Sequence, residues 1–97
     1  MTPGYARKVD TNQAEIVEAL RAAGASVTDL SRFGHGVPDL LVGVHGVNYL
    51  LEVKAPGAKL TPAERRWFDE WEGTASVVCT PIDALIMIGG LECSHIR

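Results

Sequence analysis

Apolar residues recur along this chain with two different periods, and each change of period marks a structural element. In residues 11–23 the apolar positions Ile16, Leu20 and Ala23 follow the helical period, so this segment is predicted to form a helix that starts near Asp10. Residues 1–9 come before the pattern and are predicted to form a flexible arm.

Three segments with many strand-forming residues follow the first helix. They cover residues 25–30, 37–44 and 47–54. A loop over residues 31–36 separates the first segment from the second, and only two residues, His45 and Gly46, separate the second from the third. That spacing is typical of a tight β-hairpin.

The second half of the chain contains two similar helix-start signals. Thr61 is followed by proline and by Glu64, which predicts a capping box opening a helix that runs to about residue 72. A short apolar strand is predicted over residues 75–79. Thr80 then repeats the capping pattern before a helix that ends near residue 88. The order of elements predicts one α/β domain over residues 1–97, a mixed sheet flanked by helices.

The predicted hairpin places two acidic residues opposite each other. If Val44 faces Val47, paired residue numbers sum to 91, so Asp39 faces Glu52 and Lys54 lies on the same face. Like charges in directly opposed positions are destabilising, and the surrounding strands are apolar. A divalent cation held between the carboxylates would explain the pair. The alternative is that Asp39 caps a turn while Glu52 and Lys54 are solvated edge residues.

The composition suits one small domain, although its charge argues against a nucleic-acid partner. Of 97 residues, 46% are apolar and 22% are charged, and the formal net charge is -3. DNA-binding proteins usually have a basic surface, so any basic surface here must be local. No apolar stretch approaches the ~18 residues of a membrane span and no signal peptide opens the chain, so a cytoplasmic protein is expected. Cys79 and Cys93 suggest no disulfide framework, and Cys93 with His95 is only a weak metal-ligand pattern.

Two short motifs resemble a known nuclease family. The sequence Gly-Val-Pro-Asp at residues 36–39 and Glu-Val-Lys at residues 52–54 are similar to the PD-(D/E)XK motif. The wider frame resembles the stand-alone phage and bacterial members of the VRR-NUC group. The helix start at residues 12–16 and Leu-Thr-Pro at residues 60–62 also match, so the resemblance extends from about residue 10 to residue 88.

The resemblance implies a restriction-endonuclease-like αβββαβ core and a set of site residues. Asp39 and Glu52 would bind Mg²⁺ or Mn²⁺ together with the carbonyl of Val53. Lys54 would assist hydrolysis, and Glu15 on the first helix would complete the catalytic set. Glu15 is also explained as a first-turn acid favoured by the helix dipole.

One position departs from the family pattern. The family often has a glutamine in the first turn of the helix that follows the lysine, and this chain has Glu64 there. A DNA-contacting role at this position is therefore in doubt, and the capping box already explains the residue.

The resemblance implies a Mg²⁺- or Mn²⁺-dependent endodeoxyribonuclease acting on branched or otherwise structured DNA in replication or repair. Such members resemble Holliday-junction-resolving enzymes and tend to be homodimers. Two alternatives remain open at this stage: a DNA-binding or assembly module with a vestigial nuclease site, and a small structural αβ protein.

Several residues outside the motifs are candidates for contacts with DNA or with a partner. The candidates for DNA contact are Arg32, His35, Lys59, Arg65 and Arg66. A loop histidine such as His35 is more often solvated than bound to phosphate, and the two adjacent arginines are equally explained as partners of Asp69 and Glu70 at i+4. The aromatic residues of the second helix, Trp67, Phe68 and Trp71, are predicted to lie in the core or in a dimer interface.

Overall fold

The computed structural model describes residues 3–89, with side chains from residue 12 onward. Within this range there are three helices, four strands and one 3₁₀ turn. In order they are α1 (Pro3–Ala22), β1 (Ser26–Asp29), the 3₁₀ turn (Ser31–Phe33), β2 (Leu40–Val44), β3 (Val47–Val53), α2 (Pro62–Glu70), β4 (Ser76–Val78) and α3 (Pro81–Met87).

The four strands form one mixed sheet in the order β1-β2-β3-β4. The first three are antiparallel neighbours, and β4 runs parallel to β3. Val44 faces Val47 and Leu40 faces Leu51, which confirms the predicted register. His45 and Gly46 both have positive φ, 53° and 78°, as a two-residue type I′ turn requires.

One face of the sheet is covered by helices. Ile16 and Leu20 of α1 and Ala84 of α3 are fully buried against the apolar side chains of the strands. Those strand residues are Leu40, Val42, Leu51, Val53 and Val78. The strand residues that alternate with these core residues lie on the other face of the sheet. That face is partly open to solvent, since Leu41 and Val77 are 38% and 42% exposed.

Helix α1 differs from its predicted extent. It begins at Pro3, so residues 3–9 lie in the helix and not in a flexible arm. Residues 1 and 2 lie outside the described range. No residue between Gly4 and Gly24 strongly disfavours helix, and Ala6, Arg7 and Lys8 favour it, so the backbone continues past the apolar stripe.

Helix α2 also departs from expectation. It ends at Glu70, and none of its residues is fully buried. Trp71, its C-cap, is 45% exposed, so of the two predicted positions the core is excluded for this residue, and the dimer interface stays a prediction. Trp67 instead stacks on Trp71 with ring centroids 4.7 Å apart, and meets Phe68 edge to face. The aromatic residues pack on one another because the sheet does not cover this helix.

Within residues 3–89, no helix is both long and apolar enough to cross a lipid bilayer.

Candidate functional site

Asp39 stands immediately before β2, at the open end of the hairpin. Its backbone carbonyl accepts a hydrogen bond from Leu30 N at 2.7 Å. Its Oδ2 accepts one from the amide N–H of Val53 at 2.9 Å. Because the backbone and the side chain of Asp39 form hydrogen bonds with Leu30 and Val53, the carboxylate has a fixed position. Desolvation raises the pKa of Asp39, the hydrogen bond from Val53 lowers it, and the charge of Glu64 adds to the rise.

Glu52 is a buried acid at the same end of β3. Only 2% of its surface is exposed, and its Oε1 has no hydrogen-bond partner. Burial raises the pKa of Glu52 to about 8, with further contributions from the negative charges of Asp39 and Glu64. In the absence of a cation the side chain is therefore largely protonated at neutral pH. A buried carboxyl oxygen without a partner is costly, which favours a bound ligand at this atom.

Lys54 brings a positive charge to the two acids. Its Nζ lies 3.8 Å from Glu52 Oε2 and 2.7 Å from Glu64 Oε1. Desolvation lowers the pKa of Lys54, but the hydrogen bond to Glu64 and the charges of the nearby acids outweigh it, so the pKa is raised. The side chain stays an ammonium ion, which can bind a phosphate but cannot act as a base.

Glu64 joins the site from the first turn of α2. Its Oε1 accepts a hydrogen bond from Thr61 N at 2.8 Å, and Thr61 Oγ1 accepts one from Glu64 N, so the predicted capping box is confirmed. Desolvation raises the pKa of Glu64, but the hydrogen bonds from Lys54 and from Thr61 N lower it more. The sequence identified Glu64 only as a cap, although the family position was a signal that it lies near the site.

A glycine determines how closely α2 approaches the loop before Asp39. Gly36 has φ +80°, and a Cβ there would lie 2.3 Å from the carbonyl oxygen of Ala63. Only glycine allows this contact. The loop that leads to Asp39 is thus packed directly against the turn that carries Glu64.

Asn12 is a second residue that the sequence did not identify as part of the site. Its Nδ2 donates to the carbonyl oxygen of Lys54 at 3.5 Å, which links α1 to the end of β3. Glu15, the acid predicted from α1, is exposed and takes part in none of the hydrogen bonds or ion pairs recorded for residues 12–89. Its catalytic role stays a prediction.

The predicted DNA-contacting residues lie at the surface, and their role in DNA binding stays a prediction. Arg32, His35, Lys59, Arg65 and Arg66 are all exposed. Neither arginine of α2 forms an ion pair with Asp69 or Glu70 among the described side chains. Their guanidinium groups are therefore open to solvent.

Asp39 and Glu52 fit a hard divalent cation. Both are carboxylates, they lie close enough for their charges to interact, and Glu52 Oε1 lacks a partner. Residues 12–89 hold no cluster of three or more His, Cys, Asp or Glu side chains that could enclose a metal. Two carboxylates with water completing the shell is the arrangement that Mg²⁺ prefers.

Comparison with known proteins agrees with this geometry. The sequence model of the VRR-NUC domain matches residues 4–80. A solved structure described as a VRR_NUC domain is similar, with a TM-score of 0.70 and 30% sequence identity over 84% of this chain and 94% of that one. A search of curated proteins finds no match. With a family model covering most of its length and a shared fold, the chain belongs to the VRR-NUC family of nucleases.

Proposed function

We propose that this protein is a Mg²⁺- or Mn²⁺-dependent endodeoxyribonuclease that hydrolyses phosphodiester bonds. The observation that carries the proposal is the partnerless, buried Oε1 of Glu52 beside Asp39, with the ammonium of Lys54 at the same site. Repelling acids held together in a buried position are destabilising unless a ligand compensates them. Membership of a nuclease family supports a catalytic cation as that ligand.

Each residue of the site has a distinct role in this proposal. Asp39 and Glu52 hold the cation, and the carbonyl of Val53 is a further candidate ligand. A bound Mg²⁺ or Mn²⁺ supplies charge stabilisation for the phosphoryl oxygens and acidifies water. Lys54, charged at neutral pH, binds the scissile phosphate or orients the attacking water. Glu15 remains a candidate fourth member.

The cleavage proposal is tested with linear and four-way-branched DNA in Mg²⁺ or Mn²⁺. In Asp39→Asn the amide oxygen can still accept the Val53 N–H, so the fold should persist while a metal ligand is lost. Loss of a metal that stabilises the transition state by several kcal/mol predicts a fall in rate of about 100-fold or more. The control is Asp69→Asn, which makes the same charge change on an exposed position of α2.

Two results would contradict the cleavage proposal. The first is equal activity of wild type and Asp39→Asn, and the second is DNA binding without cleavage by the wild type in either metal. The second result would favour a binding module with a vestigial site.

We also propose that the protein acts as a homodimer on branched DNA. The support is the partly open face of the sheet, where Leu41 and Val77 are exposed, together with the exposed Trp71 at the end of α2. This face carries Glu52 as well, since Val77 is its neighbour across the parallel pair. Two copies joined near this face would present two cleavage sites, as symmetric cutting of a branched substrate requires.

A further inference from the structure

One oxygen of the Glu64 carboxylate contacts both the start of α2 and the side chain of Lys54. Oε1 accepts a hydrogen bond from Thr61 N at 2.8 Å, which caps α2, and receives Lys54 Nζ at 2.7 Å. The side chains of Glu64 and Lys54 are only 17% and 15% exposed, so the pair is not a freely solvated surface contact. The start of α2 is therefore linked directly to the lysine of the site.

A second capping box in the same protein shows that the cap alone does not need this link. At the start of α3, Asp83 Oδ2 accepts hydrogen bonds from Cys79 N at 2.9 Å and from Thr80 N at 3.1 Å. Asp83 is exposed, and no ion pair is recorded for it among the described residues. The two boxes share the same reciprocal hydrogen bonds between the threonine and the acid, and of the two only the one at α2 reaches the lysine of the site.

Without Glu64, little would hold the end of the Lys54 side chain. Its other acidic contact, Glu52 Oε2, is at 3.8 Å, which is too long for a hydrogen bond. A lysine has a flexible four-carbon stem, so an ammonium with no hydrogen-bond partner samples several rotamers. The contact with Glu64 selects one of them and keeps Nζ beside Glu52.

We propose that Glu64 is a positioning residue, which holds the Lys54 ammonium beside the Asp39–Glu52 pair through the same oxygen that caps α2. For its effect on cleavage, the proposal rests on the nuclease function proposed above. Glu64 acts through Lys54 and is assigned no contact with DNA or with the metal. A less ordered lysine should lower kcat while leaving KM for DNA nearly unchanged.

The experiment measures how fast an amine-acylating reagent labels Lys54 in the folded, metal-free protein, with peptides quantified by mass spectrometry. Lys59 is exposed and serves as the internal reference. Loss of a hydrogen bond to a charged group predicts that Glu64→Ala labels at Lys54 about tenfold faster than wild type. Glu64→Gln keeps an oxygen that can accept both donors, so its rate should stay within about threefold of wild type.

Thr61→Ala is the matched control, because it removes the other half of the capping box and leaves Glu64 in place. Its Lys54 should label at the wild-type rate. If Glu64→Ala does not fold, Glu64→Asp replaces it: aspartate retains a charge that can cap the helix, but its carboxylate is shorter by one methylene. Labelling of Lys54 in Glu64→Asp should then rise as well.

Two labelling results would overturn the proposal: an unchanged rate at Lys54 in both Glu64→Ala and Glu64→Asp, or an equal rise in Thr61→Ala. In DNA cleavage, Glu64→Ala should lose about 10- to 100-fold in kcat, and Glu64→Gln should recover most of it. If the wild type cleaves no DNA, the nuclease proposal fails, and the labelling rates still decide whether Glu64 positions Lys54.

Discussion

A single buried acid, Glu52, has the most unusual environment among the residues of this site. It lies in a sheet whose other fully buried side chains are mainly apolar, and one of its oxygens has no partner. Burial of a charge without compensation is costly, and a protein avoids that cost by keeping the group neutral or by binding a cation. Both alternatives can be measured.

With metal removed by EDTA, the free energy of unfolding should depend on pH through Glu52. The pKa of Glu52 is about 8 in the folded protein, against 4.5 as the ordinary value, so the folded state binds the proton more tightly. The contribution of Glu52 to stability is therefore present at low pH and is lost as the pH rises towards 8. The free energy of unfolding of wild type minus that of Glu52→Gln should fall between pH 5 and pH 8. Its slope is at most about 1.4 kcal/mol per pH unit, the value for one proton.

Urea unfolding at a series of pH values measures this difference. The pKa values of Asp29 and Glu64 are lowered, so these groups change stability with pH in the opposite direction to Glu52. Subtracting the free energy of unfolding of Glu52→Gln from that of the wild type largely cancels their contributions. Glu70→Gln, at an exposed position, controls for the loss of one acid. Parallel pH profiles of wild type and Glu52→Gln would show that Glu52 is not perturbed.

The second residue-scale prediction concerns protons released when the metal binds. A ligating carboxyl must be deprotonated, so Mn²⁺ binding at pH 7 should release up to about one proton per ion. The release should become much smaller at pH 9.5, above the pKa of Glu52 of about 8. Calorimetry in two buffers of different ionisation enthalpy measures it. Metal binding at pH 7 with no proton release would argue against Glu52 as a ligand.

Among the elements, the hairpin and the two capped helices follow from local rules. The turn at His45–Gly46 fixes the register of β2 and β3, and each threonine cap starts its helix where the sequence predicted it. The extents of the helices were less predictable. Helix α1 starts before its apolar stripe, and α2 ends before its last aromatic residue, because propensity and capping determine the ends while burial determines the stripe.

The element-scale prediction tests the close approach of α2 to the loop before Asp39. In Gly36→Ala the new Cβ would meet the Ala63 carbonyl at a backbone φ that also disfavours alanine. Strain at φ and overpacking together predict a loss of about 2–4 kcal/mol in the free energy of unfolding. The matched control is Gly57→Ala, where φ is +83°, close to that of Gly36, but no atom lies within 4 Å.

Urea denaturation of the two variants separates the effects, since Gly57→Ala should lose only about 1 kcal/mol in the free energy of unfolding from φ strain. In Gly36→Ala, displacement of α2 should also move Glu64 away from Lys54. Lys54 should then be labelled faster than in the wild type. Equal stability of the two variants would mean that the loop and α2 do not meet as described.

At the scale of the whole molecule, the sheet is covered on one face and partly open on the other. Helices α1 and α3 enclose the core, while Leu41 and Val77 remain exposed on the face that carries Glu52, and Trp71 is exposed at the end of α2. Exposed apolar groups of this kind commonly mark an interface. The homodimer proposal assigns them to a second copy of the chain.

Sedimentation analysis tests the dimer. Wild type should sediment as a dimer at micromolar concentration, and Val77→Glu and Trp71→Glu should shift it to monomer because a charge is buried in the contact. Ile82→Glu is the control, since Ile82 is 58% exposed on α3. A monomeric wild type would contradict the proposal outright. A dimer unaffected by both variants would place the contact elsewhere.

The placement of Asp39 and Glu52 at the same end of one hairpin could be predicted from the sequence. A two-residue turn fixes every pair of the register, and alternation fixes the face, so adjacent strands suffice for the inference. The contacts of Glu64 and Asn12 with Lys54 became visible only in the fold. Asn12 lies 42 residues before Lys54, and Glu64 follows it across a loop, so both contacts depend on where α1 and α2 pack, which periodicity and turn patterns do not specify.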